Sequence, residues 1–242
     1  MLLNYYLKIG NGKNIIFLHG WKEDKKTWFR VAKCLESDFT CWLIDLPGFG
    51  ENPKLDSIIN PHDYAVWIKN FVKVMNISEY FFVGHSFGGR IGIRLASMEI
   101  EGLKKLVLYG TPGFSEKTSI FKQMLVSIYN GVKLRNLTLL QKNKIFKKVQ
   151  NYLRSKDYQD SNELKDIFLA SIKFNLKMPM KKISIPTLII HGKQDKEVSL
   201  GVAKEMQDTI AGSQLKIVAG THFFHLENPL LFSGYLRKFF NE

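Results

Sequence analysis

Cysteine is nearly absent from this chain, acid is scarce, and no apolar run is long. Two cysteines occur in 242 residues. Cys34 and Cys41 fall in a predicted helix and a predicted strand and in no metal-ligand or redox spacing, so a disulfide framework, a zinc site and a redox dithiol are all excluded and both read as small core residues. The longest apolar stretches, such as Asn14–Leu18 and Thr187–Ile190, are strand-length and far short of a membrane span. Met1–Gly10 has neither the basic start nor the apolar centre of a signal peptide, so the chain is expected to be soluble and cytoplasmic. Acids number 22 against 35 Lys and Arg, a net charge of +13. No recognisable nucleic-acid module accompanies that charge, and basicity alone supplies only non-specific attraction, so a nucleic-acid function is not expected.

What is present is a hydrophobic content of 45%, enough for a full core. Strand and helix patterns alternate along the chain. Leu3–Ile9 and Asn14–His19 flank Gly10-Asn11-Gly12 and read as a hairpin. Lys25–Leu35 has helical spacing, Thr40–Asp45 is a buried type of strand, and Asn60-Pro61 opens a helix with proline suited to its first turn. Glu79–Val83 is a strand, Arg90–Met98 a helix, and Leu103–Tyr109 a strand. After a long, mainly helical insert come the strand Pro186–His191, the helix Leu200–Ile210, the strand Gln214–Ala219 and the helix Leu230–Phe240. Such alternation implies parallel strands joined by crossovers, with helices on both faces of one sheet.

The chemistry is written at the strand ends. Tyr80-Phe81-Phe82-Val83-Gly84-His85-Ser86-Phe87-Gly88-Gly89-Arg90 carries a Gly-x-Ser-x-Gly pentapeptide where a strand gives way to a helix. A serine alcohol attacks only when its oxygen is held outward, beside a base and beside donors for the developing oxyanion, and a tight strand-to-helix turn does this. Ser86 is the expected nucleophile. Asp195 lies in the loop leaving the strand Leu188–His191, and His222 in the loop leaving the next strand. Histidine would take the serine proton and return it to the leaving group, while aspartate orients the imidazole. His225 competes for the base role, but His222 sits nearer the strand end, so His225 is expected to support or pack. In His19-Gly20-Trp21 the Trp21 amide is placed to join the Phe87 amide in facing a carbonyl oxygen. Asp45, in Asp45-Leu46-Pro47-Gly48-Phe49-Gly50, is expected to stabilise its own loop. The mechanism needs neither metal nor organic cofactor.

His19-Gly20-Trp21, Asp45–Gly50, Gly84–Gly89, Gly192-Lys193-Gln194-Asp195 and Thr221-His222, in that order, resemble the α/β-hydrolase family over nearly the whole chain. The resemblance implies an α/β fold with a mostly parallel sheet flanked by helices. It also implies a core of residues 1–112 and 183–242 and a helical cap inserted at 113–182. The first two segments are similar to those of pimeloyl-acyl-carrier-protein methyl ester carboxylesterases, and also to those of general esterases and meta-cleavage carbon–carbon bond hydrolases. The implied activity is that of a serine esterase; diketone hydrolysis and a catalytically silent binding protein are the alternatives. Ser86 argues against epoxide hydrolases and haloalkane dehalogenases, whose nucleophile is aspartate. Thr221 stands where glycine commonly precedes the histidine, and Asn52 where serine often ends the Pro-Gly loop.

Residues 113–182 hold 15 Lys and Arg against 5 Asp and Glu, most of the chain's excess charge. Phe121, Met124, Leu125, Ile128 and Val132, and Leu164, Ile167, Phe168 and Ile172, have the spacing of amphipathic helices. Such a block ordinarily forms a solvated surface. Beside a substrate entrance it would also steer an acidic substrate or an acyl carrier protein toward the pocket.

Overall fold

A computed structural model describes residues 4–113 and 164–242. The chain divides into two compact units, one of Met1–Phe114 with Leu176–Glu242 and the other of Ser115–Asn175. In the first unit seven strands form one sheet: β1 (Tyr6–Ile9), β2 (Lys13–Leu18), β3 (Phe39–Ile44), β4 (Tyr80–His85), β5 (Leu103–Tyr109), β6 (Thr187–Gly192) and β7 (Gln214–Val218). Their spatial order is β1-β3-β2-β4-β5-β6-β7, and every pairing is parallel except β1 with β3.

The expected hairpin between the first two strands does not form. β1 pairs antiparallel with β3, Tyr6 opposite Ile44 and Ile9 opposite Cys41, while β2 inserts between β3 and β4. Burial explains this. Ile15, Ile16, Phe17 and Leu18 are all fully buried, so both faces of β2 need cover and both edges need a partner, whereas β1 is half-exposed and suits an edge. The Gly10-Asn11-Gly12 turn passes over the start of β3, with the Asn11 amide donating to Glu36 O (3.3 Å) and the Gly12 amide to Thr40 Oγ1 (3.0 Å). Gly10 and Gly12 have φ of 82° and 142°, and a side chain on either would strike backbone at Glu36–Phe39.

Helices cover both faces. A 3₁₀ turn (Lys25–Trp28) runs into α1 (Phe29–Leu35), which packs with the C-terminal helix over Ile15, Phe17, Cys41, Leu43, Phe81, Val83, Val107 and Tyr109. The alternate side chains of those strands face α2 (Pro61–Val74) and α3 (Phe87–Ala96). A Cβ on Gly92 of α3 would lie 2.6 Å from the Phe82 ring and 3.2 Å from Leu106, so glycine there lets the helix press onto the sheet. Asn60 caps α2, its side chain accepting from the His62 amide at 2.8 Å while Asp63 accepts from the Asn60 amide at 3.1 Å, with Pro61 first in the helix. In the second unit the described part is α4 (Lys165–Lys173), where Ile167 and Ser171, four apart, are buried. The rest of the expected cap helices lie outside the described residues. In the first unit again, α5 (Lys177–Lys181) contacts α3 and α6 (Leu200–Thr209), α7 (Phe224–Glu227) follows β7, and α8 (Pro229–Asn241) closes the chain. No helix among the described residues is long and apolar enough to cross a membrane.

Candidate active site

β4 ends at His85 and α3 begins at Phe87, leaving Ser86 alone between them. Its φ of 48° and ψ of −107° are strained for a residue with a side chain, at a cost of about 1–3 kcal/mol. The surroundings hold that shape. The Ser86 amide donates to Tyr109 O (2.9 Å), the Gly88 amide to His19 O (3.2 Å), and the Gly89 and Arg90 amides return to Ser86 O at 3.1 and 3.2 Å. A Cβ on Gly84 would lie 2.5 Å from the Gly88 backbone, and one on Gly88 would lie 2.6 Å from Leu18 O. Bare glycines therefore let strand, turn and helix touch.

Asp195 and His222 come from the loops after β6 and β7, neighbours at one edge of the sheet. The structure brings them together: His222 Nδ1 is 2.8 Å from Asp195 Oδ2. Asp195 Oδ1 accepts from the amides of Glu197 (2.8 Å) and Val198 (2.9 Å). Burial alone would raise the carboxyl's pKa, but the hydrogen bonds from His222 and the two amides outweigh it and hold Asp195 below the usual carboxylate range. A carboxylate that accepts from Nδ1 fixes the proton there and leaves Nε2 as the ring's acceptor. Gly110, at the end of β5 with φ 53°, lies directly behind the pair; a Cβ there would be 3.0 Å from His222 Nδ1 and 3.6 Å from Asp195 Oδ2. Among the described residues no hydrogen bond joins Ser86 to His222. Their connection runs through His85, whose ring centroid is 4.6 Å from that of His222.

Around this pair lies a second layer of contacts. His85 Nε2 is 3.0 Å from His222 O, and His85 Nδ1 is 3.0 Å from Glu23 Oε2. The same Glu23 oxygen accepts from the Gly20 amide at 2.6 Å. Burial would raise the Glu23 carboxyl, yet His85 and the Gly20 amide hold it down at about 2. The Tyr109 hydroxyl donates to His222 O (2.7 Å) and accepts from the Phe224 amide (2.6 Å). Thr221 uses its hydroxyl: it bonds Glu227 and accepts from the Phe223 amide at 3.1 Å, while the Thr221 amide reaches Glu227 Oε2 at 3.2 Å.

His225 is fully buried, with its ring 4.5 Å from Trp28 and 4.7 Å from His85. Neither of its nitrogens has a hydrogen-bond partner, and burial pushes its pKa well below that of a free imidazole. The residue packs. Glu23, His85 and His225 are the group of metal-ligating side chains that the described residues bring within 4.8 Å. Glu23 and His85 already contact each other and His85 is held on its far side by His222 O, so two of the three side chains are engaged by their own hydrogen bonds.

Trp21 and Phe87 meet across the elbow, the indole packing edge-on to Phe87 at 5.2 Å and to Phe49 at 5.1 Å. The Phe87 amide opens α3, where first-turn N–H groups have no intrahelical acceptor. His19 pins the loop before Trp21: its Nδ1 donates to Gly20 O (2.7 Å) and its Nε2 accepts from the Leu46 amide (3.1 Å). Asp45 is fully buried and accepts from the Lys25 amide (2.6 Å), Lys25 Nζ (2.7 Å) and the Glu51 amide (2.9 Å). Asn52 donates to Asp45 O at 2.8 Å, completing that loop where a serine was expected. The residues that sequence reasoning missed are Glu23 and Tyr109. Each acts across more than 60 residues of chain, and neither stands at a motif spacing.

Residues 13–164 match the family model described as alpha/beta hydrolase fold. A 2-hydroxy-6-oxo-6-(2'-aminophenyl)hexa-2,4-dienoic acid hydrolase of Metapseudomonas resinovorans is 24% identical over 239 residues, covering 93% of this chain and 82% of that protein. A pimeloyl-[acyl-carrier protein] methyl ester esterase of Wigglesworthia glossinidia brevipalpis is 24% identical over 260 residues, covering 96% and 95%. The solved esterase of Exiguobacterium antarcticum superposes with a TM-score of 0.76 at 21% identity, over 98% of this chain and 95% of that one. The parallel sheet, the strained serine between β4 and α3 and the match over residues 13–164 lead to one assignment: this chain belongs to the alpha/beta hydrolase fold family.

Proposed function

We propose that the protein is a serine hydrolase that cleaves a carboxylic ester through an acyl-enzyme, with Ser86 as nucleophile, His222 as base and Asp195 as its orienting partner. The observation that supports this reading best is the strained Ser86 elbow at the C-terminal end of β4, with the His222–Asp195 pair in the loops that leave the same ends of β6 and β7 and its geometry leaving Nε2 as a proton acceptor. Nε2 takes the hydroxyl proton as Ser86 Oγ attacks the ester carbon. The tetrahedral oxyanion is met by the backbone amides of Trp21 and Phe87. Collapse expels the alcohol with the proton from His222, and water, activated by the same nitrogen, then releases the acid. Asp195 stays ionised throughout and steadies the imidazolium.

A second reading keeps the same groups and changes the bond. The Metapseudomonas relative is named as a hydrolase of a dienoic acid, and carbon–carbon hydrolysis of a diketone would use the same nucleophile site. The Wigglesworthia relative is named for an ester on an acyl carrier protein. For a carrier of that kind, the basic charge of 113–182 would supply long-range attraction; without one it is a solvated surface. Labelling of Ser86 by a fluorophosphonate, followed by a screen of p-nitrophenyl esters from acetate to decanoate beside a 2-hydroxy-6-oxo dienoate, tests the proposal. Ester turnover with a labelled Ser86 is the expected result. A folded protein that neither labels nor turns over any ester is a silent binding protein, and turnover of the dienoate alone moves the assignment to carbon–carbon hydrolysis.

A further inference from the structure

We infer that His85 is a positioning residue that works as an imidazolium, protonated on both ring nitrogens, clamping the loop of the catalytic base to the loop of the oxyanion donors with Glu23 as its fixed counter-ion. The inference rests on the reading of Ser86 and His222 given above, and hydrogen-bond accounting carries it. His85 is buried between two acceptors. On one side, His222 O is a carbonyl with no proton to give, so Nε2, 3.0 Å away, must donate. On the other, Glu23 Oε2 already accepts the Gly20 amide at 2.6 Å and stands 3.0 Å from Nδ1, so Nδ1 must donate as well. A neutral imidazole carries one N–H and would leave one buried contact as acceptor facing acceptor. With Glu23 ionised, as its short bond from the Gly20 amide favours, only the imidazolium satisfies both, and its charge is matched by the carboxylate in contact with it.

The two ends of this clamp are what make it more than packing. One reaches the carbonyl of the proposed base itself, where Tyr109 supplies a second donor at 2.7 Å. The other reaches, through Glu23, the amide of Gly20, the residue before Trp21. Ser86 is the next residue in the chain. A single ring thus joins three loops that lie 62 and 137 residues apart in sequence. The groups facing His85 from the elements around it are Glu23, the Tyr109 ring stacked at 5.0 Å, His222, His225 and Trp28, with Asp195 one hydrogen bond further on. His225, partnerless on both nitrogens, does not compete for Glu23.

The test has a spectroscopic and a kinetic arm. In protein labelled with ¹⁵N-histidine, the resonance that disappears in His85→Asn is expected to show two protonated ring nitrogens; a neutral tautomer would overturn the inference. Glu23→Gln keeps the shape of the side chain and removes the counter-charge. It is expected to lower kcat for p-nitrophenyl acetate about 10- to 100-fold by letting the base drift, with KM within about twofold. The conservative Glu23→Asp should recover part of the loss. If Glu23→Gln lowers the melting temperature but keeps the wild-type kcat per folded molecule, the contact is structural only and the positioning role is refuted; Tyr109→Phe, which removes the second donor, then serves as the comparison that shows whether the His222 carbonyl matters at all. Failure of the parent reading looks different: wild-type Ser86 would resist the fluorophosphonate, while the nitrogen spectrum would still decide the state of His85.

Discussion

Two carboxylates, Asp45 fully buried and Glu23 partly so, lie near the same strand ends and are wired differently. Asp45 is saturated by its own neighbourhood: Lys25 and Glu51 supply its partners, and every bond closes the loops next to it. Glu23 is bonded outward, to the Gly20 amide in the loop before Trp21 on one side and through His85 to the loop of His222 on the other. The two contacts are of similar length, 2.7 Å for Lys25–Asp45 and 3.0 Å for His85–Glu23. Distance alone therefore does not tell a pair that closes its own loop from one that links two loops. What separates them is which backbone atoms the pair reaches.

Substitutions can widen that contrast. The largest effect belongs to the elbow that the Glu23 network surrounds: Ser86→Ala is expected to lower ester turnover by about four orders of magnitude or more and to abolish fluorophosphonate labelling, with the fold intact by circular dichroism. Next come the histidines. His222→Ala should approach the Ser86→Ala loss, whereas His225→Phe, which replaces a ring without partners by one of similar shape, should leave kcat within about threefold and raise or preserve the melting temperature. A larger kinetic loss at His225 would hand it the base role.

Asp45→Asn is the complement. It strands the Lys25 ammonium in a buried site and is expected to cost roughly 3–5 kcal/mol of stability in urea titrations while leaving kcat per folded molecule close to wild type. Glu23→Gln should show the reverse emphasis. The two variants exchange signatures if the reading of the clusters is wrong.

Acid offers a smaller and graded test. The pKa of His225 is depressed in the fold, so below its ordinary value of 6.5 the unfolded chain binds a proton that the folded chain refuses, and stability falls as the pH drops. Glu23 is also depressed, from 4.5 to about 2; its contribution is complete above 4.5 and is lost as the pH falls from there toward 2. Denaturant titrations from pH 7 to 5 should therefore show a shallower decline for His225→Phe than for wild type, and Glu23→Gln should flatten the profile only below about pH 4.5. The smallest effect is none: exhaustive chelation and dialysis should leave turnover unchanged, and loss restored by one specific metal would contradict the serine mechanism.

Much of this arrangement was legible in the residues. Gly84-His85-Ser86-Phe87-Gly88 announces a strand-to-helix turn because the backbone cannot make it without those glycines, and Asn60-Pro61 announces a helix start by local hydrogen bonding alone. Asp195 and His222 were visible as polar residues just past apolar strands. The pairing of β1 was not, since choosing between β2 and β3 depends on which strand ends up covered on both faces, a property of the assembled sheet. Glu23 and Tyr109 were invisible for a related reason: their partners are set by the sheet order, and a glutamate three residues after a strand-end glycine looks like any turn residue.

That sheet order also sets a schedule. β2 is fully buried from Ile15 to Leu18, and its parallel partners begin at Phe39 and Tyr80, the second 66 residues beyond Asn14. During synthesis the second edge of Ile15–Leu18 must therefore wait until β4 has emerged, and the same register that centres the serine delays the first half of the sheet. Until then that edge is open to pairing with other chains, and Lys13 and Asn14 at the head of the strand are the only polar residues within it to hold them apart.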